Sequence, residues 1–368
     1  MHENALSDSV MAYASEESVF VAPKRSQTNK LLSVYQYPTL TVLIDDRECF
    51  PDSMAFQLNP NLACKVFNDA RAAIDWLHLA HMRSVDNEPI RVGYDEQTES
   101  FERRSATIDL DLIYRNVMNR QRFEVPTVLV IDFAMPQMTG MAFCQAIQSL
   151  PCKKILLTGQ ADEKVALDAF NNKLIDRFIK KDDPDALSCL EEEIIKLQKE
   201  FFLGQTRTLQ DLLSRHTYAF ISDPAVCVLA GQLCRRHNFV EYYLFPNPAG
   251  ILFFDIRGKA TLMVIETKAS LTVHFEVAQD QYAPPELLTA LHELKLVPFF
   301  CDTGGMYRNE IRHDWLSYCL PPQICQGRED YYWALFDLPP HYLQGAIYSY
   351  EAFLQDRACA GYHMAPLS

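Results

Sequence analysis

The sequence predicts an α/β fold, a doubly wound five-stranded parallel sheet, followed by an α+β domain. Three observations carry this. Five short apolar runs, "LTVLIDD", "ACKVFND", "TVLVID", "KKILLTG" and "DRFIKK", alternate with segments of helical apolar spacing, the pattern of strands covered on both faces. Most of these runs stop at an acid, a hydroxyl or a lysine. Beyond residue 218 the alternation gives way to consecutive strands, the order of an α+β unit.

Residues 1–38 mix polar runs with few periodic apolar positions apart from "SVFVAP", and read as an N-terminal extension. The parallel-sheet domain spans 39–200. Its first two strands end in "DD" and "ND", and "ARAAIDWLHLAH" has the spacing of an amphipathic helix. Residues 84–124 interrupt the pattern with a polar stretch and read as an insertion, in which "ATIDLDLIYRNVM" places Ile108, Leu112 and Ile113 on one helix face. The remaining strands follow with "MAFCQAIQSL" and "DEKVALDAF" as helices. The last helix runs from "PDALSCL" with Leu187, Leu190, Ile194, Leu197, Phe201 and Leu209 as buried positions; it either continues as a linker helix over 201–217 or breaks near Gly204. Residues 218–368 form the second domain.

Composition limits the function classes. The chain has 368 residues, 48% hydrophobic and 22% charged, with no apolar run near the roughly 18–20 residues of a membrane span. No membrane association is expected. The N-terminus lacks a basic start and apolar block, and the eleven cysteines form no regular framework, which points to a reducing cytoplasm. A net charge of −14 opposes the phosphate backbone, so nucleic acid is not an expected partner.

In a parallel sheet, function sits beyond the carboxyl ends of the strands. Asp45 and Asp46 stand at the end of the first strand, Asp132 at the third, Thr158 at the fourth, and Lys180 and Lys181 at the fifth. Three converging carboxylates repel unless a hard divalent cation holds them, and an all-oxygen set suits Mg²⁺ with a phosphoryl group beside it. Asp132 is followed by Pro136 and Gly140, at +4 and +8. Taken together, these residues resemble the receiver domain of two-component response regulators. The resemblance implies that Asp132 accepts a phosphoryl group from a sensor histidine kinase or phosphotransfer protein, and that Asp45, Asp46 and Asp132 hold Mg²⁺. It also implies that Thr158 and Phe178 form the switch. Phe178 stands three residues before Lys181, the spacing the family shows, which favours Lys181 over Lys180. In this family the switch commonly tunes a homodimer. Three features depart from the pattern: the insertion, Gly159 after Thr158, and "KKDDP" after the fifth strand.

Residues 218–368 carry ten Lys/Arg against sixteen Asp/Glu, a local charge of −6, and no recognition-helix or zinc-finger signature. Their helix–strand–strand–strand–helix–strand order resembles the core of PD-(D/E)xK nucleases, with Asp255, Glu266 and Lys268 in comparable places. Such a nuclease is the alternative reading. The reading adopted is a signalling protein, not an enzyme, whose output domain acts by binding an unknown partner. Cys301, His313, Cys319 and Cys325 are spaced too irregularly for a zinc motif, and the aromatic tail after Glu329 reads as core. The whole layout resembles a quorum-sensing response regulator, which implies a cytoplasmic role in quorum-sensing or virulence regulation.

Overall fold

The computed structural model describes residues 19–21, 31–46, 54–55, 57–84, 90–94, 104–159, 163–215, 218–343, 345 and 347–361. The chain divides into two units, one of residues 36–207 with 347–368 and one of residues 1–35 with 208–346.

The first unit is built on five parallel strands. They lie side by side in the order Cys64–Phe67, Leu40–Ile44, Pro126–Asp132, Lys153–Thr158, Arg177–Lys180. Every residue of Leu40–Ile44 and Pro126–Asp132 is buried, because helices cover both faces. Val42, Leu129, Ile131 and Leu156 pack against Ala73, Leu77, Phe143 and Ile147 on one side. Leu43, Val130, Ile155 and Leu157 pack against Leu190, Ile194 and Leu197 on the other. Each such side chain contributes roughly 1.5–3 kcal/mol on burial. The strand order reverses between the first and third strands, so their carboxyl ends open the crevice where α/β sheets place their ligands.

The insertion differs from the expected helix over "ATIDLDLIYRNVM". Arg104–Ile108 instead pairs antiparallel with Ile90–Tyr94, in register from Ile90↔Ile108 to Tyr94↔Arg104. The helix begins only at Leu110, where the Asp109 carboxylate accepts from the Leu112 amide at 3.4 Å. The β-branched pair Thr107–Ile108 favours a strand, and the Asp cap defines where the helix can start.

Ala186–Leu213 is one unbroken helix of 28 residues. Gly204 does not break it: its penalty of about 1 kcal/mol is small beside the burial of Leu190, Ile194, Leu197, Phe202 and Leu209 along the same helix. Arg177, on the fifth strand, holds this helix through Glu193 at 2.7 Å and Glu200 at 3.0 Å.

The second unit contains a seven-stranded sheet in the order Val19–Val21, Gln323–Gln326, Asp330–Asp337, Ala260–Thr267, Gly250–Asp255, Phe239–Phe245, Tyr35–Gln36. Its central pairings are antiparallel, whereas Val19–Val21 runs parallel to Gln323–Gln326. Helix Pro224–His237 starts on Asp223, whose carboxylate accepts from the Ala225 amide at 2.9 Å, and ends at Asn238 with φ 55°. Two elements escape the sequence pattern. Lys268–Asp280 is a helix, opened by a Thr267/Ser270 capping box. Asp330–Asp337, within the aromatic tail, is a strand between Ala260–Thr267 and Gln323–Gln326.

The unit boundaries also depart from the expected 1–38 and 218–368. Leu32, Ser33 and Val34 are buried, and the Ser33 hydroxyl lies 2.7 Å from that of Tyr242, so this part of the extension is core of the second unit. Helix Tyr350–Gly361 falls in the parallel-sheet unit, because Tyr350 and Phe353 pack on Phe123 at ring distances of 5.1 and 5.3 Å.

Candidate functional site

Four strand ends build the site. Asp45 follows Leu40–Ile44, and its amide donates to the Phe67 carbonyl at 3.2 Å. Asp132 is the last residue of its strand, and Thr158 the last of the next. Lys181 follows Arg177–Lys180, with its amide donating to the Thr158 carbonyl at 2.9 Å. Asp45 and Asp132 are 4% and 2% exposed. Carboxylate oxygens of Asp45, Asp46 and Asp132 all lie within 4.8 Å of one another.

Lys181 Nζ lies 2.8 Å from Asp132 Oδ1 and 3.2 Å from Asp45 Oδ2. The ammonium partly offsets the repulsion among the carboxylates and bridges two of them. Lys180, the alternative, is exposed one residue earlier, so Lys181 is the lysine that the fold directs into the cluster. The Thr158 hydroxyl is fully buried and makes no hydrogen bond among the described residues. Phe178 is half-buried on the same strand as Lys180 and packs on Phe170 at a ring distance of 6.4 Å.

The turn after Asp132 is fixed by its backbone. Phe133 donates to the Leu157 carbonyl and Gly140 to the Phe133 carbonyl, both at 3.0 Å. A Cβ at Gly140 would stand 2.4 Å from the Asp132 carbonyl oxygen, so the helix Gly140–Ala146 approaches the acid this closely only because residue 140 has no side chain.

The donor set fits a hard divalent cation. It offers three carboxylates and no sulfur or imidazole, and Mg²⁺ binds through few carboxylates while keeping water positions for a phosphoryl oxygen. Among the described residues this is the one cluster of three or more potential metal-binding side chains.

The nuclease-like residues are not brought together. Asp255 caps its own hairpin turn, accepting from the Arg257 and Lys259 amides at 2.9 Å. Glu266 is seven residues along the next strand from Lys259, on the order of 20 Å at about 3.3 Å per residue. It is buried beside His274 Nε2 at 3.4 Å, and Lys268 opens the following helix. The zinc candidates form no cluster of three ligands among the described residues; Cys319 and Cys325 are buried with thiols pushed up to about 12 by desolvation, and His313 is exposed.

Sequence reasoning missed two groups that bear on the site. One is the Phe67 carbonyl that holds Asp45; backbone atoms carry no residue signature. The other is the C-terminal helix beside the Cys64–Phe67 strand, which nothing local in the sequence connects to residue 64.

No protein-family profile and no curated protein matches this sequence. Among solved structures, the response regulator LqsR of Legionella pneumophila is similar, at 28% identity with a TM-score of 0.72, over 91% of this chain and 99% of its own. A response regulator receiver protein from Pseudomonas putida is 15% identical over 43% of this chain and 97% of its own, with a TM-score of 0.28. The likeness to the Legionella protein spans both units, and the chain has the fold of a response regulator, a receiver-type domain with a second, output domain.

Proposed function

We propose that the chain is a two-component response regulator that accepts a phosphoryl group on Asp132 and uses it to switch its assembly and its output domain. The observation that carries this is the convergence of Asp45, Asp46, Asp132 and Lys181 at the strand-order reversal. Asp45, Asp46 and Asp132 would hold Mg²⁺, which when bound supplies positive charge to the transferring phosphoryl oxygens.

A carboxylate oxygen of Asp132 attacks the phosphorus of a phosphohistidine on a sensor kinase or phosphotransfer protein. The P–O bond forms as the P–N bond breaks, and its electron pair returns to the imidazole. Lys181 offsets the charge gathered on Asp132, and the 3.2 Å contact to Asp45 keeps its ammonium in place. Catalysis here is positioning and charge neutralisation. The phosphoryl group brings new acceptor oxygens beside Thr158, whose buried hydroxyl makes no other hydrogen bond among the described residues. Movement of that hydroxyl toward the phosphate opens space for Phe178 to turn inward.

Val165, Leu167 and Phe170 are 45%, 47% and 41% exposed on helix Glu163–Asn171, and Phe170 packs on Phe178. Covering them in a homodimer would couple the switch to assembly. The output domain acts by binding a partner, in the cytoplasmic quorum-sensing or virulence regulation that the sequence resemblance implies, and the likeness to the Legionella response regulator supports the signalling class. No helix among the described residues is long and apolar enough to cross a membrane.

The test is phosphorylation by acetyl phosphate in Mg²⁺, followed on phosphate-affinity gels. Wild type is expected to shift, and Asp132→Asn to stay unshifted. An equal shift in Asp132→Asn would overturn the assignment. Light scattering on both forms checks the assembly: an unchanged monomer–dimer ratio across concentration removes the dimer from the reading.

A further inference from the structure

Strand Cys64–Phe67 is an edge of the parallel sheet, paired on one side to Leu40–Ile44. Edge strands present backbone groups with no strand to meet them. Here the C-terminal helix Tyr350–Gly361 meets the first of them, at Cys64, and the turn that leads into the strand. The Tyr350 hydroxyl donates to the Asn61 carbonyl at 2.7 Å and accepts from the Ala63 amide at 3.2 Å. The Arg357 guanidinium donates to the Cys64 carbonyl. Behind these contacts Phe123 is fully buried against Tyr350 and Phe353, and Arg122, also buried, donates to the Tyr348 carbonyl at 2.8 Å.

The same strand reaches the candidate site. Its last residue, Phe67, pairs with Ile44 and receives the Asp45 amide at 3.2 Å. Asp45 is thus held from one side by a four-residue strand, and the start of that strand, at Cys64 and the turn before it, is held by the C-terminal helix. Asp132, Thr158 and Lys181 depend on it less, since none of the strands that carry or precede them pairs with Cys64–Phe67.

We infer that Tyr350 and Arg357 are positioning residues for the Asp45/Asp46 pair, and that the segment 347–361, distant in sequence, completes the metal-binding half of the phospho-accepting unit. This rests on the reading that the acid pair holds Mg²⁺. Loosening the helix frees the strand edge, lets the Phe67 carbonyl drift, and spreads the carboxylates. Mg²⁺ affinity then falls, while the Asp132 strand keeps its own protection.

The experiment uses the full chain with Arg357→Ala, Tyr350→Phe and Arg357→Lys, measuring Mg²⁺ affinity by calorimetry and backbone amide exchange by mass spectrometry. In Arg357→Ala, exchange at Cys64–Phe67 and Asp45 is expected to rise about tenfold or more, with Leu129–Ile131 unchanged. Mg²⁺ affinity is expected to weaken several-fold. Tyr350→Phe, which removes one hydroxyl, shows the same pattern at smaller size, and Arg357→Lys recovers part of the loss because the ammonium can still donate to the carbonyl. Wild type that binds no Mg²⁺ overturns the site reading and the inference with it. Wild type that binds Mg²⁺, with Arg357→Ala and Tyr350→Phe binding equally well, overturns the positioning role alone. A rise in exchange that includes Leu129–Ile131 also overturns it, since it marks general loosening.

Discussion

Lys181 is the cation among three acids, and its removal gives two effects of opposite sign. With its side chain 17% exposed, and those of Asp45 and Asp132 5% and 3%, Lys181→Ala leaves mostly buried negative charge uncompensated. A loss of about 2 kcal/mol is expected in Mg²⁺-free buffer, below the roughly 3–5 kcal/mol of a fully buried pair. Added Mg²⁺ is expected to raise the melting temperature of Lys181→Ala more than that of wild type, because the cation then meets an undiluted acid cluster, while phosphorylation slows. Equal Mg²⁺ shifts in a thermal scan would place the lysine outside the metal's field. Gly140→Ala is the matching backbone test. The added methyl meets a carbonyl oxygen at 2.4 Å, and a cost of about 1–3 kcal/mol in urea unfolding is expected; an unaffected midpoint would show that the turn yields. At this scale the sequence is informative where chemistry and strand ends coincide. Asp45, Asp46, Asp132 and Thr158 each follow an apolar run, so a parallel sheet must gather them. Tyr350 and Arg357 carry no such mark, since their partners are backbone atoms 287 to 293 residues away.

Helix Ala186–Leu213 shows how an element resists its own sequence. A glycine at its middle weakens local propensity, yet a Cβ at Gly204 would meet nothing within 4 Å. Gly204→Ala is therefore expected to stabilise the chain by up to about 1 kcal/mol, through backbone entropy alone. Destabilisation in urea would mean that the helix needs to bend there. Elements with one clear period were legible: the five parallel strands and helices such as Ala70–Ser84 follow from apolar spacing. Two others were not. Lys268–Asp280 carries Thr272, Val273 and Val277, β-branched residues that lower helix propensity, and only the Thr267/Ser270 box at its start announces it. Ala106–Ile108 reads as helix until its antiparallel partner Ile90–Val92 is known, because strand pairing is decided by a segment the local period does not contain.

At the scale of the whole molecule, the chain composes each unit from separated stretches, with residues 347–368 grouped with 36–207 and residues 1–35 with 208–346. Linear domain boundaries cannot express that, which is why residues 1–38 read as a separate extension and 218–368 as one continuous domain. Both units bury neutral thiols. Desolvation pushes Cys152 up to about 11 and Cys144, Cys227 and Cys319 up to about 12. Each folded value lies above the unfolded one, so their contribution to stability is fully present below about pH 8.5 and is lost as pH rises toward 12, at up to roughly 1.4 kcal/mol per thiol per pH unit. Urea midpoints are expected to hold between pH 7 and 8 and to fall above pH 9; a flat profile to pH 10.5 would show that these thiols reach solvent. The central claim concerns one carboxylate in 368 residues, and it is tested most directly by trapping the acyl phosphate. After acetyl phosphate and Mg²⁺, borohydride reduction converts a phosphorylated aspartate to homoserine, which peptide mass spectrometry locates. Homoserine at position 132, absent when Mg²⁺ is removed by chelation, is the expected result. Homoserine at another aspartate, or equal yield without Mg²⁺, would contradict the account.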